Sequence, residues 1–102
     1  MSADPLTVVE MLTRRLQLVQ EISAVQSRNL LNRQHSGGAE FEVQGIEQEI
    51  AATGGSHDLT KALADARERF QMANTEMAEC DTLCAELEQR LEELDGLIAA
   101  GR

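Results

Sequence analysis

Between Leu59 and Ile98, apolar or small residues fall at Leu59, Leu63, Ala66, Phe70, Ala73, Met77, Cys80, Cys84, Leu87, Leu91, Leu94 and Ile98. The steps alternate four and three without a slip, the heptad signature of a helix that buries one seam against another helix. Leu63, Phe70, Met77, Cys84, Leu91 and Ile98 take the a positions, and Leu59, Ala66, Ala73, Cys80, Leu87 and Leu94 take d. A helix of about 42 residues is about 60 Å long at roughly 1.5 Å per residue. An element of that length does not fit inside a compact globule of 102 residues. It must lie along another long helix, from its own chain or from a partner.

Composition agrees with an all-α fold. There are two Phe, no Trp, no Tyr and one Pro, too few aromatic residues for the core of a sandwich or barrel. Ala, Leu, Glu, Gln and Arg are abundant, as helices prefer. The net charge of −9 is uneven. Arg14, Arg15, Arg28 and Arg33 nearly balance Asp4, Glu10 and Glu21 up to residue 39, and the surplus of acid follows. Such a surface disfavours nucleic acid and anionic membranes as partners, because phosphate neutralisation needs basic residues. Most of these acids read as the solvated side of a long helix. No apolar run approaches the ~20 residues needed to span a bilayer, and the opening residues lack the pattern of a signal peptide. With two cysteines, the expectation is a cytoplasmic protein in a reducing compartment.

Read in order, residues 1–102 are expected to form a single helical domain. A first helix covers about 5–33, started by Asp4 as N-cap and Pro5 in the first turn. Two apolar rows run along it: Val9, Leu12, Leu16 and Val19, continued by Ser23, Gln26 and Leu30, and beside them Val8, Met11, Leu18, Ile22 and Val25, interrupted by Arg15. His35-Ser36-Gly37-Gly38 reads as a break, giving a loop over 34–39. A short helix follows over about 40–53, with Val43, Ile46 and Ile50 inward, then a turn over 54–57 at Gly54-Gly55. The long helix runs over about 58–99, capped by Ser56 or Asp58. The expected protomer is a broken antiparallel helical hairpin, with Arg14 and Arg15 near the acid-rich end at Glu86–Asp95. Leu83 and Leu97 widen the apolar face of the long helix, so two hairpins are expected to pair into a coiled-coil or four-helix-type oligomer.

Chemistry is sparse. Cys80 and Cys84 stand four residues apart on the seam, where a disulfide or a thiolate metal site competes with a simpler role as small buried hydrophobes. A structural zinc site wants four ligands, and His35 and His57 lie at no spacing that ties them to the thiols. The chain lacks Glu-x-x-His, a Walker loop, Gly-x-Ser-x-Gly and His-Glu-x-x-His. The expectation is therefore no enzyme, no cofactor and no metal. The middle of the seam, from Ala66 to Cys84, is small or soft and buries less apolar area than its Leu87–Ile98 end.

The residues expected to work are those of the interface: Leu59, Leu63, Phe70, Met77, Cys80, Cys84, Leu87, Leu91, Leu94 and Ile98 on the long helix, and Leu12, Leu16 and Val19 on the first. The expected function is assembly, as a scaffold, adaptor or complex subunit, with itself or another helical protein as partner. The alternative is a small acidic chaperone or hetero-complex subunit that sequesters an aggregation-prone helical client, such as a protein-export substrate.

Overall fold

Two helices of nearly equal length, α1 (Val8–Thr53) and α2 (His57–Ala100), lie side by side in the computed structural model, which describes residues 7–101. Thr7 caps α1, its hydroxyl accepting from the Glu10 backbone N–H at 3.1 Å, a Thr-x-x-Glu start that satisfies an otherwise orphaned donor. The expected start at Asp4-Pro5 lies outside the described residues. Gly54 (φ 83°) ends α1 and sends its N–H back to the Ile50 carbonyl. Gly55 (φ 85°) is left-handed too, a conformation that costs little only without a Cβ. Ser56 then caps α2 by accepting from the Leu59 N–H at 3.1 Å. This turn reverses the chain, and the hairpin is antiparallel.

The expected break is not there. Residues 34–39 are helical, and what the sequence suggested as a first helix, a loop and a short helix is one helix of 46 residues. Two helical glycines cost about 1 kcal/mol each relative to Ala. Against this, Ser36 and Ala39, within the same segment, are buried on α2, and Ser36 donates its hydroxyl to Asn74 Oδ1 at 2.7 Å. Tertiary packing overrides the local preference.

The seam of α1 explains why. Its inward positions are Met11, Arg15, Leu18, Ile22, Val25, Asn29, Asn32, Ser36, Ala39, Val43, Ile46 and Ile50, spaced four and three from end to end. Breaking the helix at Gly37-Gly38 would interrupt a phase that continues unchanged on both sides. Arg15, Ile22, Asn29, Ser36, Val43 and Ile50 occupy a, and Met11, Leu18, Val25, Asn32, Ala39 and Ile46 occupy d. The register against α2 follows from Asn32, whose Nδ2 donates to Cys80 Sγ at 3.7 Å. Stepping by heptads then sets Val25 opposite Leu87, Leu18 opposite Leu94, and Ala39 opposite Ala73.

Three zones result. At the open end, Met11, Leu18, Ile22 and Val25 pack with Leu87, Leu94 and Ile98 into an apolar core, joined by Leu91 and Cys84. The middle is polar: Asn29, Asn32 and Ser36 are the buried polar residues of the hairpin. Towards the turn, Val43, Ile46, Ile50, Leu59, Leu63 and Phe70 are half-buried. Ser23 and Gln26, which continue the row of Val9, Leu12, Leu16 and Val19, are exposed and take no part in this polar layer. The particle measures 73 × 24 × 15 Å with a radius of gyration of 22.2 Å, against about 13 Å for a compact chain of this length. It is two helices wide and one helix thick. No helix among the described residues is long and apolar enough to cross a membrane.

Candidate interaction surface

On α2 the expected seam residues do face α1, but unequally. The d residues Ala66, Ala73, Cys80, Leu87 and Leu94 are buried, as is Ile98, whereas Leu63, Phe70, Met77, Cys84 and Leu91 are half-buried. These a-position side chains lie along the flank that also carries Asp81 and Asp95, which meet Asn29 and Arg15 across the groove. The Arg15 Nε–Asp95 Oδ1 contact of 2.7 Å fulfils the orientation suggested by charge. As an exposed pair it is worth at most ~1 kcal/mol. Arg67 and Arg69 reach Glu47 and Glu42 nearer the turn, at 3.4 and 2.8 Å.

Leu12, Leu16 and Val19, expected to help build the interface between helices, do not face α2. They sit at e, b and e of α1 and are exposed by 50, 58 and 39%, and Val9, in the same row, by 73%. The neighbouring row of Met11, Leu18, Ile22 and Val25 is the one that is buried. Two adjacent apolar rows were legible, and choosing between them needed the polar members Asn29, Asn32 and Ser36, which conceal the continuation of the true seam. Leu83 and Leu97 are exposed on the opposite flank, where Leu83 lies beside Arg28 and Glu76. They do not widen the face that α1 covers.

The outer row has a further property. From Val9 to Leu30, the b, e and f positions of α1 read Val9, Leu12, Thr13, Leu16, Val19, Gln20, Ser23, Gln26, Ser27 and Leu30, without one charge. The charges of this segment lie at other positions: Glu10, Arg14, Arg15, Glu21 and Arg28. Position e is on the flank of the hairpin, and b and f are turned away from α2. An apolar and neutral strip about 30 Å long, at roughly 1.5 Å per residue, therefore lies open along one edge of the particle.

The two thiols are free. Cys80 is buried beneath Asn32, and Cys84 Sγ lies 3.4 Å from Glu88 Oε1. Burial pushes the Cys84 thiol upward, and the hydrogen bond and negative charge of Glu88 push in the same direction. That environment opposes thiolate formation, which reactive cysteines need. No group of three or more His, Cys, Asp or Glu side chains is placed to hold a metal ion among the described residues. His35 lines a shallow groove with Gly38, Ala39, Met72 and Ala73.

An all-helical antiparallel hairpin is thus the class that the fold defines. No protein-family model matches the chain, and no match to it is found among the curated proteins or the solved structures.

Proposed function

We propose that this chain is a non-enzymatic assembly protein, a scaffold, adaptor or complex subunit that presents helix faces to other helices. The carrying observation is the uncovered apolar strip Val9–Leu12–Leu16–Val19. Contiguous exposed apolar rows on a small protein mark interaction sites more often than ordinary surface. The surface area points the same way. The chain exposes 7616 Å², against about 5,700 Å² for a compact monomer of 11.2 kDa. The surplus of about 1,900 Å² exceeds the ~800 Å² that each partner contributes to a standard interface. The polar middle and the half-buried turn-proximal zone also leave the isolated hairpin with few strong layers.

The half-buried Phe70 and Met77 favour, as a second reading, a hetero-complex subunit or chaperone whose client helix completes that zone. Absolute mass by light scattering, recorded with circular dichroism in reductant, tests the first reading. A stable and highly helical oligomer is the expected result. A monomer of low, loosely melting helicity would transfer the argument to the second reading, because a chain that lacks its partner gains order only on binding.

A further inference from the structure

We infer that the Val9–Val19 part of the uncharged strip of α1 docks on the same part of a second copy, the two α1 helices running antiparallel about a two-fold axis between Leu12 and Leu16. This rests on the assembly reading above and specifies its surface and partner.

Three observations carry it. The first is the order of the side chains. Val9, Leu12, Leu16 and Val19 are spaced three, four, three, and the residue types read Val-Leu-Leu-Val in either direction. A two-fold interface requires residue i to meet j and j to meet i. An antiparallel two-fold at this centre sets Val9 against the partner's Val19 and Leu12 against the partner's Leu16, equal sizes throughout.

The second is charge. Two chains of net charge −9 repel wherever their acids are juxtaposed, so self-association needs a face without them. The b, e and f positions from Val9 to Leu30 form such a face. The acids of the neighbouring flank, Asp81, Glu88 and Asp95, belong to α2. Val9 and Leu16, at b, point away from α2, while Leu12 and Val19, at e, border the flank that carries those acids, so the acids line the edge of the contact and none lies within the row itself. A hetero-partner of basic character would find no acid on this strip to pair with.

The third is exposure. The four side chains are 73, 50, 58 and 39% exposed, and pairing them with their symmetry mates covers one continuous apolar row that α2 leaves open.

The test uses the full chain in reductant. Light scattering is expected to give a dimer for the wild type across the micromolar range, and a monomer for Leu16→Glu with unchanged helical circular dichroism. Leu97→Glu, on the opposite flank, is expected to remain dimeric. A wild-type chain that is folded and monomeric, or that binds only a different protein, overturns the inference. A dimer that survives Leu16→Glu and falls apart with Leu97→Glu also overturns it, while the assembly reading stands. Orientation is read in a Cys80→Ser/Cys84→Ser background under mild oxidation. Val9→Cys chains mixed with Val19→Cys chains are expected to yield a disulfide-linked pair. Cross-linking of Val9→Cys chains alone would mean parallel pairing and sink the antiparallel arrangement.

Discussion

Asn29 donates its Nδ2–H to Asp81 Oδ1 at 2.7 Å across the hairpin, while its own Oδ1, buried at the seam, finds no hydrogen-bond donor among the described residues. Half of one amide is therefore satisfied by a partner near the surface, and the other half is desolvated without return. A buried acceptor left in this state costs about 1–3 kcal/mol, so this layer subtracts from stability. Buried Asn at such a position is also a known device for fixing register at the expense of stability. Asn32 on Cys80 and Ser36 on Asn74 extend the polar layer by two further positions.

Replacing Asn29 by Leu, of similar size, removes the orphaned oxygen and puts an apolar side chain at a buried seam position. The expected result is a gain of about 1 kcal/mol, seen as a melting temperature raised by roughly 4–8 °C for a domain of this size. Thermal melts by circular dichroism check it. A lower melting temperature would show that the bond to Asp81 outweighs the orphaned oxygen.

The unbroken α1 makes a separate prediction at Gly37 and Gly38. Neither has positive φ, and a Cβ at either would meet nothing within 4 Å. Gly37→Ala and Gly38→Ala should each stabilise the hairpin by about 0.5–1 kcal/mol. Gly54→Ala should do the reverse, because its φ of 83° is left-handed and strained for any residue with a Cβ. Guanidinium titrations of the three variants measure this; destabilisation by the first two would restore a break in α1.

Leu87 is 3% exposed and Leu97 59%, although both lie near the same end of α2. Leu87→Ala should cost about 2–5 kcal/mol, and Leu97→Ala less than about 0.5 kcal/mol. Equal losses in chemical denaturation would mean that the face of α2 has been assigned wrongly.

Cys84 gives the pH dependence. Burial first, and Glu88 after it, raise its thiol above the ordinary value, so the folded state holds the proton more tightly than the unfolded chain. The stabilisation from this thiol is complete below the unfolded value and is lost as pH rises through the folded one. Alkylation of Cys84 by iodoacetamide, followed by mass spectrometry, should reach its midpoint at a higher pH in the folded protein than in denaturant, and Glu88→Gln should lower that midpoint. Coincident folded and denatured profiles would contradict the environment described for Cys84.

The two helical faces were not equally legible. The seam of α2 could be read directly, because every one of its twelve positions from Leu59 to Ile98 is apolar or small. The seam of α1 carries Arg15, Asn29, Asn32 and Ser36, so periodic hydrophobicity favoured the cleaner row of Val9, Leu12, Leu16 and Val19 next to it. The same polar stretch, followed by Gly37-Gly38, imitated a loop. What overrules that signal is the partner helix: a seam is defined by what it packs against, and the apparent loop residues Ser36 and Ala39 are buried by α2. The antiparallel orientation, the Gly54-Gly55 turn, the Ser56 cap and the Arg15–Asp95 side were all available from local chemistry and charge.

The unequal zones also govern how the hairpin closes. The layers nearest the turn, Ile50 with Leu63 and Val43 with Phe70, are cheap to bring together but only half-buried. The tight layers, Leu18 with Leu94 and Val25 with Leu87, stand at the far end of the chain's two arms. Meeting there before the turn has formed costs about 1.5 kcal/mol more in loop-closure entropy. Zipping from the turn therefore has to cross the polar layer before it reaches its strongest contacts. On this order of closure the barrier to folding is expected at the polar layer Asn29–Ser36, in the middle of the hairpin rather than at its ends: Asn29→Leu should speed refolding in stopped-flow measurements, whereas Leu87→Ala should act mainly by speeding unfolding.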